Sequence, residues 1–252
     1  MDKVVDPSAG SYYVEVLTNS LADVAWKLFL EVEEKGGFSV AVNAGEIQNA
    51  VNASNVARKK AVATRREILL GSNQYPNFTE VAADKIQEKG SCCCGGGHCG
   101  EATIPALDFS RGASEFEALR MATEKSGKTP KVFMLTIGNL AMRLARSQFS
   151  ANFFACAGFE VKDNNGFKTV DEGVQACLDN KAAIVVLCSS DDEYAGFAPE
   201  AFEKLKDKAI VVVAGNPESR PELEAKGLMN YIHVKNNVLE ELKGYQVKLG
   251  IK

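Results

Sequence analysis

The fold of this chain is decided by the stretch Lys131-Val-Phe-Met-Leu-Thr-Ile-Gly-Asn-Leu-Ala-Met-Arg-Leu-Ala-Arg146. Residues 131–137 predict a buried strand, Gly138-Asn139 predicts a tight turn, and the residues after it predict an amphipathic helix. In an open α/β sheet, the loop after the first strand commonly holds a ligand. The content of this loop therefore bears directly on function.

The rest of residues 130–252 repeats this alternation of strand and helix. Continuous apolar runs such as Ile184-Val-Val-Leu187 and Ile210-Val-Val-Val213 are typical of strands covered on both faces. The pattern predicts an α/β fold, namely a flavodoxin-like (Rossmann-like), doubly wound parallel sheet of five strands. The predicted strands are 131–137, 159–162, 183–188, 209–214 and 229–234, and the predicted helices are 140–156, 170–180, 199–206, 217–226 and 238–248.

Residues 1–70 are predicted to be helical. Apolar residues at helical spacing predict one helix over 12–35 and a second over 47–70. Helices without strand partners make a poor independent domain, because their apolar faces need something to cover them. We therefore expect this segment to be part of a larger unit. A cluster of basic side chains in the second helix is interpreted as a solvated face balanced by neighbouring acids, and it comprises Arg58, Lys59, Lys60, Arg65 and Arg66.

Residues 71–129 are interpreted as a linker region with short helices predicted over 79–89 and 114–125. This region contains Ser91-Cys-Cys-Cys-Gly-Gly-Gly-His-Cys-Gly100. Thiols and an imidazole bind soft metals such as zinc, but three consecutive cysteines cannot easily all face one ion, and no second ligand pair follows at finger-like spacing. A polar connector is the preferred interpretation, and a metal site is the alternative. Its ligands would be Cys92, Cys94, His98 and Cys99.

Composition excludes several classes of partner. The net charge of −4 over 252 residues predicts neither a nucleic-acid nor an anionic-membrane partner. No apolar run approaches the roughly 20 residues that span a membrane. Cys156, Cys177 and Cys188 fall in apolar helix or strand patterns, which favours a reducing compartment. We expect a cytoplasmic protein.

The loops after the predicted strands offer no catalytic constellation. The first loop has one glycine and no acid, histidine or lysine, so it does not resemble a phosphate-cradling loop. A receiver-type phosphorylation site needs a cluster of carboxylates around a metal, and the acids at 191–193 have no acids after the first strand to join them. We interpret these acids as capping the next helix, with a favourable place at its dipole. Neither His98, His233 nor Cys188 has a sequence neighbour that would complete a nucleophile, base and orienter. The residues alone predict a binding or interaction fold with no catalytic residue.

Several separated stretches resemble the adenosylcobalamin-dependent methylmalonyl-CoA mutases. Asp6-Pro-Ser-Ala-Gly-Ser-Tyr-Tyr-Val-Glu15, Glu33-Glu-Lys-Gly-Gly37 and Gly71-Ser-Asn-Gln-Tyr75 resemble the end of the family's substrate-binding (β/α)8 barrel. Residues 130–252, including Phe153-Phe-Ala-Cys-Ala-Gly-Phe-Glu-Val161, resemble its cobalamin-binding domain. The resemblance implies the helical C-terminal portion of a barrel domain over 1–70, a linker over 71–129 and a cobalamin-binding-like domain over 130–252.

The chain departs from the family where cobalamin is held. Active members carry an Asp-x-His-x-x-Gly motif after the first strand, and the histidine ligates cobalt. Here those positions are Leu140, Met142 and Ala145, and a thioether cannot replace the hydrogen-bonded imidazole. The family's Ser-x-Leu element after the third strand is only partly kept, as Ser189-Ser-Asp191. Its Gly-Gly pair after the fourth strand is replaced by Ala214-Gly215. The vestigial cofactor-binding candidates are Gly138, Ser189, Ser190 and Gly215.

These departures resemble the small, non-catalytic (beta) subunit of the family's heterodimeric members. The resemblance implies a C-terminal fragment that binds no cobalamin, is inactive alone and pairs with a large catalytic subunit carrying adenosylcobalamin. The complex would isomerise methylmalonyl-CoA and succinyl-CoA. We expect Leu140, Leu144 and Ala145 to fill the space that the cofactor would occupy. The alternative is a module that binds cobalamin without a protein histidine ligand.

Overall fold

A computed structural model describes residues 3–82, 106–108 and 110–251 of the chain. The chain divides into two compact units, Met1–Val56 with Cys93–Phe109, and Ala57–Cys92 with Ser110–Lys252. The division into 1–70, 71–129 and 130–252 stays a prediction. The proposed metal ligands Cys92, Cys94, His98 and Cys99 lie outside the described residues.

The first unit is helical. Helix α1 covers Tyr12–Glu34, a short helix α2 covers Phe38–Asn43, and helix α3, which begins in this unit, covers Glu46–Ala63. No residue of α1 is buried, and Trp26 is 60% exposed. The apolar side chains of α1 are therefore exposed, and the expectation that residues 1–70 belong to a larger unit stays a prediction. Helix α2 was not predicted, and it follows two glycines with positive φ angles, 100° at residue 36 and 88° at residue 37.

Helix α3 ends at Ala63 and does not run to residue 70 as predicted. Arg65 adopts the left-handed conformation, with φ of 57°, that usually belongs to glycine after a helix. Its guanidinium donates to the carbonyl oxygens of Asn73 at 2.6 Å and of Asn152 at 3.1 Å. These hydrogen bonds offset the backbone strain. Arg65 is therefore a structural residue and not part of a solvated basic face.

The second unit contains one sheet of five parallel strands in the order β2-β1-β3-β4-β5. That order is the flavodoxin-like one, in which ligands lie outside the carboxyl ends of the strands. The predicted fold class is confirmed. The strands are β1 (Lys131–Thr136), β2 (Glu160–Lys162), β3 (Ile184–Cys188), β4 (Ile210–Ala214) and β5 (Tyr231–Ile232). The helices are α4 (Ser114–Lys125), α5 (Leu140–Ala155), α6 (Val170–Asp179), α7 (Tyr194–Leu205), α8 (Arg220–Ala225) and α9 (Val238–Lys248).

Both faces of the sheet are covered, as the continuous apolar runs predicted. In β1, Met134 packs into one hydrophobic cluster with Phe154 of α5, and the next residue, Leu135, packs into a second cluster with Val174 and Tyr194. Successive strand residues therefore enter opposite layers, as the pleat of a strand requires. The packing fixes all five strands with their carboxyl ends at one edge.

Three predicted helix starts are wrong, and the first is that of α8, which was predicted at residue 217 and begins at Arg220. Helix α7 begins at Tyr194 and contains Pro199, where the prediction placed a helix start at the proline. Burial of Tyr194, Phe197 and Ala198 holds the extra turn despite the missing backbone donor. The helix predicted over 79–89 does not begin at residue 79, because residues 79–82 are not helical; residues 83–89 of that prediction lie outside the described residues. Across residues 3–82, 106–108 and 110–251, no helix is long and apolar enough to cross a membrane.

Candidate functional site at the carboxyl ends of the strands

The sequence-predicted candidates lie in the loops after β1, β3 and β4. Gly138 follows β1, Ser189 and Ser190 follow β3, and Gly215 follows β4. The hydroxyl of Ser189 lies 2.8 Å from the carbonyl oxygen of Ile137, so the first two loops touch. The backbone N–H of Gly215 donates to the carbonyl of Ile232 at 2.9 Å. The parallel sheet thus brings the four candidates to one edge.

The carboxylate of Glu193 bridges the loops after β1 and β3. It accepts hydrogen bonds from the backbone N–H of Asn139, at 3.2 Å to each oxygen, and from the backbone N–H of Ser190 at 3.3 Å. It also contacts the Ser189 hydroxyl. Hydrogen bonds from Ser189 and Ser190, with a smaller contribution from the Asn139 backbone, lower the pKa of Glu193 to about 2. The group is therefore an anion throughout the physiological pH range.

This carboxylate lies directly against Gly138. A Cβ built on Gly138 would stand 2.1 Å from a carboxylate oxygen of Glu193, and the glycine has a φ of 83°. The sequence interpreted Glu193 as a cap of the next helix with a favourable place at its dipole; the side-chain cap is wrong, and the place at the helix N-terminus is as expected. Glu193 is the N-cap residue of α7, but its side chain makes no capping hydrogen bond. Its carboxylate instead reaches the loop after β1, because the backbone N–H of Asn139 donates hydrogen bonds to it there.

An ion pair covers Gly215 in the same way. Arg146 of α5 donates to a carboxylate oxygen of Asp191 at 2.9 Å. A Cβ on Gly215 would lie 2.8 Å from that oxygen and 3.2 Å from the guanidinium carbon of Arg146. Asp191 was also predicted to cap α7, but its carboxylate instead pairs with Arg146. Side chains of the chain itself therefore cover the backbone at both glycine candidates.

The side chains at the start of α5, where the sequence resemblance places the family's cobalt-ligand motif, are exposed. The side-chain oxygen of Asn139 accepts the backbone N–H of Met142 at 3.2 Å, which fixes the start of α5 at residue 140 as predicted. Leu140, Met142 and Leu144 are nevertheless 60%, 39% and 42% exposed. Whether Leu140, Leu144 and Ala145 occupy cofactor space stays a prediction. The side chain that does contact the backbone of this loop is Glu193, to which the sequence interpretation gave a capping role.

A second arginine of α5 joins the loops after β1 and β2. Arg143 donates to the carbonyl of Gly138 at 3.3 Å and to the carbonyl of Asn165 at 3.1 Å. The neighbouring Asn164 contacts the Thr136 hydroxyl and the carbonyl oxygen of Met134 through its side chain. The loop after β2 is thus tied both to the end of β1 and to the loop that follows it.

Tyr194 ties the ends of β3 and β4 together from below. Its buried hydroxyl lies 2.6 Å from the carbonyl oxygen of Ala214 and 3.1 Å from that of Leu187, and it accepts the backbone N–H of Ser189 at 3.0 Å. Burial raises the pKa of Tyr194 far above its ordinary value. The hydroxyl therefore stays neutral, and its hydrogen bonds hold the ends of β3 and β4 in fixed positions.

The titratable groups near this edge are poorly placed for nucleophilic chemistry. Burial raises the pKa of the Cys188 thiol to about 12, and a thiol rather than a thiolate is a weak nucleophile. Burial, followed by the charge of Arg220, lowers the pKa of His233. The Nδ1 atom of His233 accepts the backbone N–H of Lys235 at 3.2 Å. Among the described residues, no group of three histidine, cysteine or acidic side chains is arranged to hold a metal ion.

The strand order and these loops define a flavodoxin-like α/β protein, in which side chains of the chain itself cover the loops after β1 and β4. Residues 1–90 match the family model of methylmalonyl-CoA mutase. The chain is 64% identical over its full length to the methylmalonyl-CoA mutase small subunit of Porphyromonas gingivalis. It is 32% identical, over 86% of its length, to the small subunit of Streptomyces virginiae. The chain belongs to the methylmalonyl-CoA mutase family, as the sequence resemblance predicted.

The matches cover only part of the relatives. The chain spans 40% of the Porphyromonas gingivalis protein and 34% of the Streptomyces virginiae protein. Among solved structures, a cobalamin-binding protein from Desulfitobacterium hafniense matches 53% of this chain and 69% of its own, with a TM-score of 0.39 and 20% identity.

Proposed function

We propose that this chain serves as the C-terminal part of the small subunit of an adenosylcobalamin-dependent methylmalonyl-CoA mutase and binds no cobalamin itself. The complex would interconvert methylmalonyl-CoA and succinyl-CoA, with the cofactor, held by a large catalytic subunit, supplying the radical chemistry. The fragment alone would be inactive. The small-subunit relatives and the family match of residues 1–90 support this proposal.

One observation carries the proposal, namely the Glu193 carboxylate against Gly138. A glycine at a ligand loop allows a ligand to approach the backbone closely, and that approach is lost when another group lies there. Here a carboxylate oxygen stands 2.1 Å from the position of a Gly138 Cβ, and Asp191 stands 2.8 Å from that of Gly215. Met142 occupies the position of the cobalt-ligating histidine. The residues at this edge do not fit a bound cobalamin.

The exposed face of α1 supports a role in assembly. Apolar side chains such as Leu21, Trp26 and Phe29 are exposed along this helix, and large apolar patches of this kind commonly mark interaction surfaces. We propose that α1 packs against the large catalytic subunit in the mutase complex.

Titration of the purified chain with adenosylcobalamin, followed by absorption spectroscopy, tests the cofactor proposal. We expect no stoichiometric binding at any concentration that saturates a large subunit measured in parallel. Tight binding accompanied by the spectral change of lower-base displacement would refute the proposal. Binding with the lower base still attached would support the alternative, a cobalamin module without a histidine ligand, which the retained Ser189 and Ser190 favour.

Co-expression with a large catalytic subunit tests the partner proposal. We expect the two chains to purify together and expect Leu21→Glu, on α1, to reduce recovery of the complex. Val247→Glu is the matched control, because Val247 is an exposed apolar residue on α9 of the other unit. Equal recovery of both variants would exclude α1 from the assembly surface, and absence of any complex would refute the partner assignment.

A further inference from the structure

The loop between β2 and α6 contains Asn165-Gly166, the single Asn-Gly pair in the sequence. Asn165 is exposed, and its side chain makes no hydrogen bond with any residue that the structure describes. Its side-chain amide is therefore free to turn toward its own backbone. Glycine at the following position places no Cβ between that amide and the backbone nitrogen that would attack it.

The peptide bond between these two residues is polarised by Arg143. The guanidinium donates to the Asn165 carbonyl at 3.1 Å, and a Cβ on Gly166 would lie 2.5 Å from the guanidinium carbon. When the Gly166 nitrogen loses its proton, the negative charge spreads onto the Asn165 carbonyl oxygen. A charge-assisted hydrogen bond to that oxygen stabilises this anion more than it stabilises the neutral amide.

We propose that Asn165 is a site of spontaneous deamidation and isoaspartate formation, promoted by Arg143. Hydroxide takes the proton of the Gly166 N–H, and the nitrogen anion attacks the side-chain carbonyl carbon of Asn165 to form a new C–N bond. The bond from that carbon to the side-chain nitrogen breaks, and the nitrogen takes a proton from water and leaves as ammonia. Water then opens the resulting succinimide at either carbonyl, which gives aspartate or isoaspartate. No oxidant, reductant or cofactor is required.

One local hydrogen bond opposes the reaction and has to open first. The backbone N–H of Gly166 donates to the side-chain oxygen of Asn164 at 2.9 Å. That oxygen is also contacted by the Thr136 hydroxyl, so it keeps a partner when Gly166 leaves. The remaining donor lowers the cost of opening, because no buried acceptor is left unsatisfied.

The modification would reach the candidate functional site. Isoaspartate adds a methylene group to the backbone and places a carboxylate beside Arg143. We expect the guanidinium to pair with that carboxylate and to release the Gly138 carbonyl, which it now holds at 3.3 Å. A covalent change after β2 would thereby loosen the loop after β1.

Incubation of the folded protein at neutral and mildly alkaline pH, followed by peptide mapping and enzymatic isoaspartate detection, tests the proposal. We expect residue 165 to react fastest among the asparagines and to react faster at the higher pH. Asn216 is an internal control, because the following proline supplies no N–H for ring closure. Asn165→Gln should abolish the isoaspartate signal.

The role of Arg143 is tested with Arg143→Met, which keeps much of the side-chain length and removes the charge. We expect the conversion to slow about fivefold, the change that loss of a partly exposed charge-assisted hydrogen bond supports. Circular dichroism and thermal unfolding verify that the variant is folded. An unchanged rate in folded Arg143→Met would overturn the assistance by Arg143. An Asn165 that reacts more slowly in the folded protein than in the urea-unfolded chain would overturn the site itself.

Discussion

The contact between Glu193 and the loop after β1 makes Glu193→Gln the most informative substitution. The carboxylate accepts backbone hydrogen bonds from Asn139 and Ser190 and contacts the Ser189 hydroxyl. Glutamine keeps one acceptor, loses the charge and turns an N–H₂ group toward backbone donors. Hydrogen bonds to a charged group contribute about 1.5–3 kcal/mol each when buried. Because Glu193 is partly exposed, we expect a net loss of about 1–2 kcal/mol in the free energy of unfolding.

The pH dependence of that loss follows from the lowered pKa. Glu193 titrates at about 2 in the folded protein, against an ordinary value of 4.5. A lowered folded-state pKa stabilises the fold above the ordinary value, and the stabilisation disappears as the pH falls toward the folded-state value. The wild-type protein should therefore lose its advantage over Glu193→Gln between about pH 4.5 and pH 2.

Urea unfolding of both proteins at neutral pH and at several acidic values measures the difference. Glu203→Gln is the matched control, because Glu203 pairs with the exposed Lys206 at 2.6 Å, and such pairs have little effect on stability. Equal stability of Glu193→Gln and wild type at neutral pH would refute the bridging role. So would a deficit that persists undiminished at acidic pH, because it would then not come from the carboxylate charge.

Three further substitutions test the remaining structural contacts, each measured by urea or thermal unfolding. Gly138→Ala should destabilise the protein by about 1–3 kcal/mol through strain at positive φ and the clash with Glu193. The penalty should shrink in a Glu193→Ala background, and an undiminished penalty there would show that the clash is unimportant. Tyr194→Phe should cost about 2–3 kcal/mol, because it leaves buried backbone groups unpaired; a neutral result would mean that the hydroxyl is dispensable. Arg65→Ala should cost about 2–3 kcal/mol through lost hydrogen bonds, whereas Arg66→Ala, at an exposed neighbour, should have little effect; similar losses in both would contradict the structural role of Arg65.

The sheet could be predicted because its information is local. Runs such as Ile184-Val-Val-Leu187 identify strands buried on both faces without reference to the rest of the chain, and parallel strands joined by helices admit few topologies. Helices α4 and α9 were predicted at their observed bounds, 114–125 and 238–248, by the same local periodicity. By contrast, the predicted start of α7 was five residues too late, because a proline locally favours the first turn of a helix. Burial of Tyr194 and Phe197 instead extends the helix before Pro199.

The side-chain contacts that cover the candidate loops could not be predicted, because they join distant loops. Sequence reasoning found the departures at Leu140, Met142 and Ala145, and it placed the candidate glycines and serines at the correct edge. It assigned Glu193 to helix capping, since acids before a helix usually have that role. The actual partner is the backbone of Asn139, 54 positions earlier in the chain. No local pattern records a pairing of that kind.

The end of α3 has a consequence for the order in which the chain folds. Local sequence supplies no glycine there, and Arg65 is held in its left-handed conformation partly by Asn152, 87 positions later. During synthesis the bond to Asn152 is therefore missing until α5 has been made and has docked, and until then the end of α3 has only the hydrogen bonds within its own segment, such as that from Arg65 to the carbonyl of Asn73. A chain cut before α5 should hold residues 64–75 less firmly than a chain that includes the sheet.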